Sequence, residues 1–226
     1  TNFYIQKTIM NQIYNEDCLN TLDRDLEYDY VCFSPPDYDE LGLTPIKDDK
    51  EYHEWQEEVY SKLKPKKNVV TIVSSNRRYK RRTIAKHNAI TNIMNKLGYD
   101  LLAEKIWMKD STINLYRYNY AFVLSYGKGN FKSNNTRLFK YDVWPHKHMK
   151  YDGYSYNYPA SMIARCIVNY TEENDVVYDP FIGIGTTAIA CLQTSRNYYG
   201  SELDKKVCDI ANNRLTSYQK FSKLCE

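Results

Sequence analysis

Hydrophobic positions along this chain fall into two alternating periods. Short β-branched and aromatic runs read as strands at Gln12–Tyr14, Tyr28–Phe33, Val69–Ser74, Leu101–Trp107, Ala121–Tyr126, Val176–Asp179 and Tyr198–Ser201. Between them, apolar residues at helical spacing predict helices over Glu51–Leu63, Thr83–Leu97, Ala160–Tyr170, Thr186–Thr194 and Lys205–Tyr218. Pro65 stops the first of these and Gly98 the second. Strands alternating with helices predict an α/β fold: a seven-stranded, mostly parallel, Rossmann-like sheet with helices on both faces. At 226 residues the chain suits one domain spanning 1–226.

Two stretches fit neither period. Ser111–Asn119 is short. Lys128–Tyr156 is longer, rich in Asn, Lys, Tyr and His, and reads as an irregular surface insert with a function, since long unstructured segments are uncommon inside compact domains.

Composition narrows the picture. Six cysteines, Cys18, Cys32, Cys166, Cys191, Cys208 and Cys225, form no C-x-x-C pair, and the four histidines make no ligand set, so neither a metal site nor a disulfide frame is expected. No apolar run approaches the ~18 residues that cross a membrane. The opening residues lack a basic segment followed by an apolar block, and a cytoplasmic setting is expected. Net charge is only +3, but it is unevenly spread. Acids cluster from Asp48 to Glu58, and cations from Lys64 to Lys86, a distribution that gives a near-neutral protein a cationic face. The 23 tyrosines carry no functional reading.

The sharpest local signal is Val176-Val177-Tyr178-Asp179-Pro180-Phe181-Ile182-Gly183-Ile184-Gly185-Thr186-Thr187, a strand running through a two-glycine turn into a helix. Glycines there permit positive φ and close approach of a ligand to the backbone, and the N–H groups of the helix start face that ligand. A second strand, Tyr199-Gly200-Ser201-Glu202, ends in a carboxylate placed to accept hydrogen bonds from ribose hydroxyls. Together these predict an adenosine-containing cofactor. Gly183-x-Gly185-x-x-Ala188 also satisfies the dinucleotide fingerprint, but only 41 residues follow Gly185, too few for the second mononucleotide half of that fold.

At the other end of the chain, the strand closing at Phe33 runs into Ser34-Pro35-Pro36-Asp37-Tyr38. Ligands of open α/β sheets sit at that C-terminal edge. With this element early and the glycine loop late, the chain resembles the β-class, permuted amino-methyltransferases of DNA from Met10 to Leu215. Asn15-Glu16-Asp17-Cys18-Leu19 looks like the family's opening turn. Lys105–Lys109 and Tyr120–Gly129 resemble its later strands, and Asp142-Val143-Trp144 with Tyr158-Pro159 the approach to the cofactor loop.

The resemblance implies S-adenosylmethionine as cofactor and double-stranded DNA, with one base flipped out, as substrate. Carried over position by position, it implies cofactor contacts at Asp17, Cys18, Asp179, Pro180, Phe181, Gly183, Gly185, Thr186, Thr187 and Glu202. Ser34, Pro35, Pro36, Asp37 and Tyr38 become the catalytic segment. An exocyclic amine is a poor nucleophile because its lone pair is shared with the ring. Acceptors on its two N–H groups, such as Ser34 Oγ and the Pro35 carbonyl, favour a nitrogen whose lone pair points at the methyl, and successive prolines stiffen the backbone that holds them. Serine at the first motif position implies cytosine N4, with adenine N6 as the alternative.

The chain departs from the family pattern twice. Asp37 stands where an aromatic ring usually stacks on the base, and Tyr38 beside it is the candidate replacement. Tyr158-Pro159 stands where His-Pro is usual. Expected DNA contacts are the cations Arg77, Arg78, Lys80, Arg81 and Arg82 for phosphates, and, within the insert, Arg137, Lys140, His146 and Lys147, with Asn134 and Asn135, as readers of base edges. So short an insert suits a short recognition sequence, loose specificity or completion by a second copy in a homodimer. A reading of another class, suggested by Asp37, is a non-catalytic DNA-binding subunit with the same fold. RNA is a further alternative substrate.

Overall fold

A computed structural model describes residues 10–109, 118–147, 149–151 and 154–224. In chain order the elements are β1 (Gln12–Tyr14), α1 (Cys18–Leu22), β2 (Tyr30–Phe33), α2 (Asp49–Ser61), β3 (Val69–Ser74), β4 (Arg77–Tyr79), β5 (Arg82–Ile84), α3 (Lys86–Lys96), β6 (Asp100–Met108) and β7 (Tyr120–Gly127). There follow β8 (Val143–Pro145), β9 (Met149–Tyr151), β10 (Tyr154–Asn157), α4 (Ala160–Tyr170), β11 (Val176–Asp179), α5 (Thr186–Gln193), β12 (Asn197–Ser201) and α6 (Lys205–Leu224).

Eight strands form one sheet in the order β1-β12-β11-β2-β3-β7-β6-β8. Every pairing in it is parallel except those of β7, which runs against both β3 and β6. Its central strands are buried on both faces, as parallel sheets require: β2, β3 and β11 expose no residue. One face packs on α4, α5 and α6 through Met162, Ile163, Ile167, Ala188, Cys208 and Ala211. The other packs on α1, α2 and α3 through Cys18, Val59, Tyr60, Ile90 and Met94. A buried polar ladder, Tyr30 hydroxyl to Thr71 Oγ1 at 2.5 Å and Thr71 Oγ1 to Ser125 Oγ at 2.8 Å, ties β2, β3 and β7 together inside the sheet.

The seven expected strands are all present, and the sheet gains an eighth from the insert. Val143–Pro145 pairs in parallel with β6, Trp107 opposite Trp144. The buried Trp144 ring, packed on Phe139 at 5.5 Å, anchors this edge. Lys128–Tyr156 is therefore not one irregular surface loop. It crosses the sheet's N-terminal rim, returns as β8, and forms the β9–β10 hairpin. The stretch Ser111–Asn119 falls mostly outside the described residues. The helix expected to start at Thr83 starts at Lys86, because Arg77–Tyr79 and Arg82–Ile84 pair as an antiparallel hairpin turned by Lys80 and Arg81, both at positive φ (45° and 64°). Among the described residues no helix is long and apolar enough to cross a membrane.

Candidate active site

β2 and β11 are hydrogen-bonded neighbours running in parallel, with Val177 opposite Tyr30 and Tyr178 opposite Val31. Both chains therefore leave the sheet side by side at its C-terminal rim. Ser34 lies three residues past Val31, and Phe181 three past Tyr178. The Phe33 and Phe181 rings touch at 5.6 Å, and Trp55 from α2 closes on Phe181 at 5.5 Å. The serine segment and the glycine loop converge on one rim.

In the cofactor loop the two glycines do different work. A side chain at Gly183 (φ +53°) would reach open space, with nothing nearer than the Phe181 carbonyl at 4.0 Å. That is room for a ligand. Gly185 (φ +81°) instead packs against Ala211 of α6, and a Cβ there would lie 3.4 Å from the Ala211 methyl. Glu202 faces the open side. Its carboxylate accepts the Gly183 N–H at 3.1 Å and the Asp204 N–H at 2.9 Å, and burial pushes its pKa up. Asn15 donates to the Glu202 and Leu203 carbonyls, joining the first turn of the chain to the last strand.

Several residues assigned to cofactor contact point inward. Asp179 is fully buried, and its two oxygens accept the Phe181 N–H at 2.9 Å and the Thr187 hydroxyl at 2.6 Å. Burial raises its pKa to about 7, against the lowering effect of those two bonds. Tyr158, at the position where histidine is usual, lies beside Thr187, and burial pushes its phenol well above the usual range. Thr186 is buried and accepts from Arg214 at 3.1 Å, while Pro180 is buried too. These residues build the loop rather than face its open side. Cys18 sits in the core with its thiol pushed up to about 12 by burial, so it is a neutral packing group. Asp17 caps α1, accepting the Leu19 N–H at 2.8 Å.

In the serine segment, Ser34 is half-buried and its hydroxyl has no hydrogen-bond partner among the described residues. Pro35 is buried, and the Pro36 carbonyl accepts the Tyr52 hydroxyl at 2.7 Å. Tyr38 cannot replace the missing stacking ring as expected. It is fully buried, stacked on Tyr52 at 4.0 Å, with its hydroxyl held by Asp49. Asp37 caps the short turn that follows, in a reciprocal box with Glu40. Its carboxylate is gripped by Arg77 at 3.0 Å and by the buried Lys86 at 3.3 Å. Sequence reasoning missed Lys86. Its signal is a lysine at the start of α3, where only the fold shows that it turns into the core side of the site.

The residues expected to meet DNA divide into four groups. Arg77 is engaged by Asp37 and Asp39 at the foot of the hairpin. Arg78, Lys80, Arg81 and Arg82 are exposed along it, Arg78 lying over the Tyr118 ring at 4.7 Å. His146 and Lys147 follow β8 at the same rim as Ser34, since β8, β6 and β3 run the same way. Arg137 and Lys140, by contrast, lie on a short helical turn against the C-terminal end of α4, where Phe139 meets Tyr170 at 5.3 Å. That is the opposite rim, away from Ser34. Asn134 there is occupied by the Val168 and Thr171 carbonyls. Among the described residues no cluster of His, Cys, Asp and Glu could hold a metal ion.

A family model described as DNA methylase matches residues 45–213. Over a 100-residue alignment the chain is 36% identical to the type II methyltransferase M.BglII of Bacillus subtilis, covering 38% of this chain and 28% of that protein. The chain spans less than two thirds of the length of the curated relatives it matches. Among solved structures, a DNA modification methylase of Thermus thermophilus, complexed with S-adenosyl-L-methionine, superimposes with a TM-score of 0.74 at 22% identity, over 92% of this chain and 94% of that one. The cytosine-N4-specific PvuII DNA methyltransferase does so at 0.78 and 16%, over 91% and 86%. At those identities the likeness is one of fold. With three quarters of its length matched by the family model, the chain belongs to the DNA methylase family.

Proposed function

We propose that this protein transfers a methyl group from S-adenosylmethionine to the exocyclic amine of a base turned out of duplex DNA, and that the base is cytosine, methylated at N4. The observation that carries this reading is the meeting of Ser34 and the Gly183 loop on adjacent parallel strands, with open space above Gly183 bordered by Glu202. That space and that carboxylate fit an adenosine-bearing cofactor.

The cofactor supplies an electrophilic methyl group on a sulfonium. The chain's own groups do the rest. Glu202 uses the acceptor capacity left by its two backbone bonds to hold ribose hydroxyls. Phe181 and Trp55, backed by the buried Phe33 ring, form an aromatic wall that excludes water and faces positive charge favourably. Ser34 Oγ, uncommitted among the described residues, accepts one N–H of the amine, and the Pro35 carbonyl accepts the other, aligning the nitrogen lone pair for in-line displacement. No strong base is needed, since the amine becomes acidic as it is alkylated and its proton passes to solvent. Asp37, held by Arg77 and Lys86, borders the site with a carboxylate where the family pattern has a ring.

Serine at the first motif position favours cytosine N4, with adenine N6 the alternative. Incubation with methyl-labelled cofactor and mixed-sequence DNA, followed by digestion to nucleosides, tests both. Label in N4-methyl-2′-deoxycytidine supports the proposal, label in N6-methyl-2′-deoxyadenosine moves the target to adenine, and label in neither overturns it.

A further inference from the structure

The hairpin formed by β4 and β5 does not stand alone at the rim. The loop that follows the serine segment lies across from it, and a cleft of about 410 Å³ runs between them, lined by Thr44, Pro45, Ile46, Lys47, Tyr79, Lys80 and Arg82. Three of these are exposed cations, and none of the lining residues is acidic. The other four offer a tyrosine ring, a threonine and aliphatic surface, and the Lys80 ammonium lies 5.3 Å from the Tyr79 ring centre. Lys47 is restrained only by a loose ion pair with Asp48 at 3.8 Å on a side chain 81% exposed. The cleft's walls are set by unusual backbone: Ile46 holds φ +76°, a rare conformation for a β-branched residue, and Lys80 and Arg81 form the positive-φ turn opposite.

Cations on both walls, Lys47 on the loop and Lys80 with Arg82 on the hairpin, interleaved with a tyrosine ring and aliphatic surface, match one kind of ligand. A phosphodiester strand carries a negative charge at every phosphate, with sugar and base surface between them. Position adds to composition. Arg77, three residues before Lys80 on the same hairpin, is ion-paired with Asp37 and Asp39, so the cleft and the Ser34 segment share one connected support.

We infer that this cleft binds the sugar-phosphate backbone of the DNA strand flanking the target base, with Lys47, Lys80 and Arg82 as phosphate ligands. The inference rests on the proposed function for its choice of DNA, and adds a specific site, including Lys47 and Ile46, to which the sequence pattern assigns no role.

The test measures binding of a fluorescent duplex by anisotropy across about 50–200 mM salt. It compares wild type, Lys47→Ala/Lys80→Ala/Arg82→Ala, and a control with equal charge loss at the opposite end, Lys66→Ala/Lys132→Ala/Lys220→Ala. Removing three phosphate contacts should flatten the slope of log Kd against log salt by about two to three. It should also weaken binding at least tenfold at the lowest salt. The control should keep the wild-type slope, and calorimetric affinity for S-adenosylhomocysteine should be the same in all three. A cleft variant with wild-type duplex affinity and slope overturns the inference, as does a control that loses as much as the cleft variant. The two readings fail separately. If wild type methylates DNA and the cleft variant binds like wild type, only the cleft falls. If wild type transfers no methyl to DNA yet the cleft variant loses duplex binding, the reaction falls and the cleft stands.

Discussion

Asp37 and Lys86, 49 positions apart, meet in an ion pair at 3.3 Å in which the lysine side chain is only 6% exposed. The lysine comes from α3 and the aspartate from the segment after β2, so the pair pins the serine segment to the helix layer. Lys86→Met keeps the stem and removes the charge, leaving Asp37 to Arg77 alone. Because Asp37 is 37% exposed, water screens part of the loss, and the expected cost is about 1–2 kcal/mol, read from the urea midpoint. In an Asp37→Asn background the same substitution should cost less. Strict additivity of the two would show that the pair contributes nothing.

Ser34→Ala removes a hydroxyl without a hydrogen-bond partner among the described residues, so the fold should be unaffected. If that hydroxyl holds the amine, methyl transfer should fall by about 100- to 1000-fold, while calorimetric affinity for S-adenosylhomocysteine stays at the wild-type value. A variant with the full rate would remove Ser34 from the mechanism.

Two glycines near the cofactor loop should respond in opposite ways. Gly183→Leu places its side chain in open space and costs roughly 1–2 kcal/mol for the left-handed backbone, but it fills the ligand's room and should abolish S-adenosylhomocysteine binding. Gly200→Ala drives a methyl onto Ile182 Cδ1 and to 2.8 Å from its Cβ, so the loop must shift. That substitution should cost about 1–3 kcal/mol. Combining it with Ile182→Ala should give a protein more stable than the sum of the two single changes. Thermal melting with and without ligand checks all four variants, and equal ligand binding by Gly183→Leu would refute the assignment of that space.

Asp179 gives the fold a pH dependence of definite sign. Its folded pKa is raised to about 7 by burial, against roughly 3.9 in an unfolded chain. Between those values the unfolded chain has released the proton while the folded chain holds it, so ionisation favours unfolding. The contribution of this group therefore declines from about pH 4 to about pH 7 and is flat above. Asp179→Asn should remove that slope. Urea titrations at about pH 5, 6, 7 and 8 decide it, and a wild-type curve no steeper than the variant's over the lower half of that range contradicts the account.

The sheet was legible because β-branched runs such as Val69–Ser74 and Val176–Asp179 are apolar throughout, the signature of strands covered on both sides. The two halves of the site were legible because each follows such a run, at the edge where parallel strands present their loops. Other features had no comparable local signal. The β4–β5 hairpin turns on Lys80-Arg81, without the Asn or Gly that usually marks positive φ. β8 is three residues long and ends in Pro145, and only the burial of Trp144 between layers reveals it. The inward turn of Tyr38 depends on Tyr52 and Asp49, which only the fold of α2 brings round to meet it. The separation of Arg137 from His146 follows from the path of the insert around the sheet, which residue type does not report.

β1 pairs only with β12, Gln12 opposite Tyr199 and Tyr14 opposite Ser201, and β11 slots between β12 and β2. During synthesis, then, β1 leaves the ribosome ahead of every other strand of its sheet and waits without a neighbour until the last of them has been made. Ser34 likewise stays unmatched until β11 arrives. Such distant pairing makes assembly slow, and a nascent chain that stops before β12 leaves β1 unpaired and lacks Glu202, so the acidic side of this rim forms only once translation has passed β12.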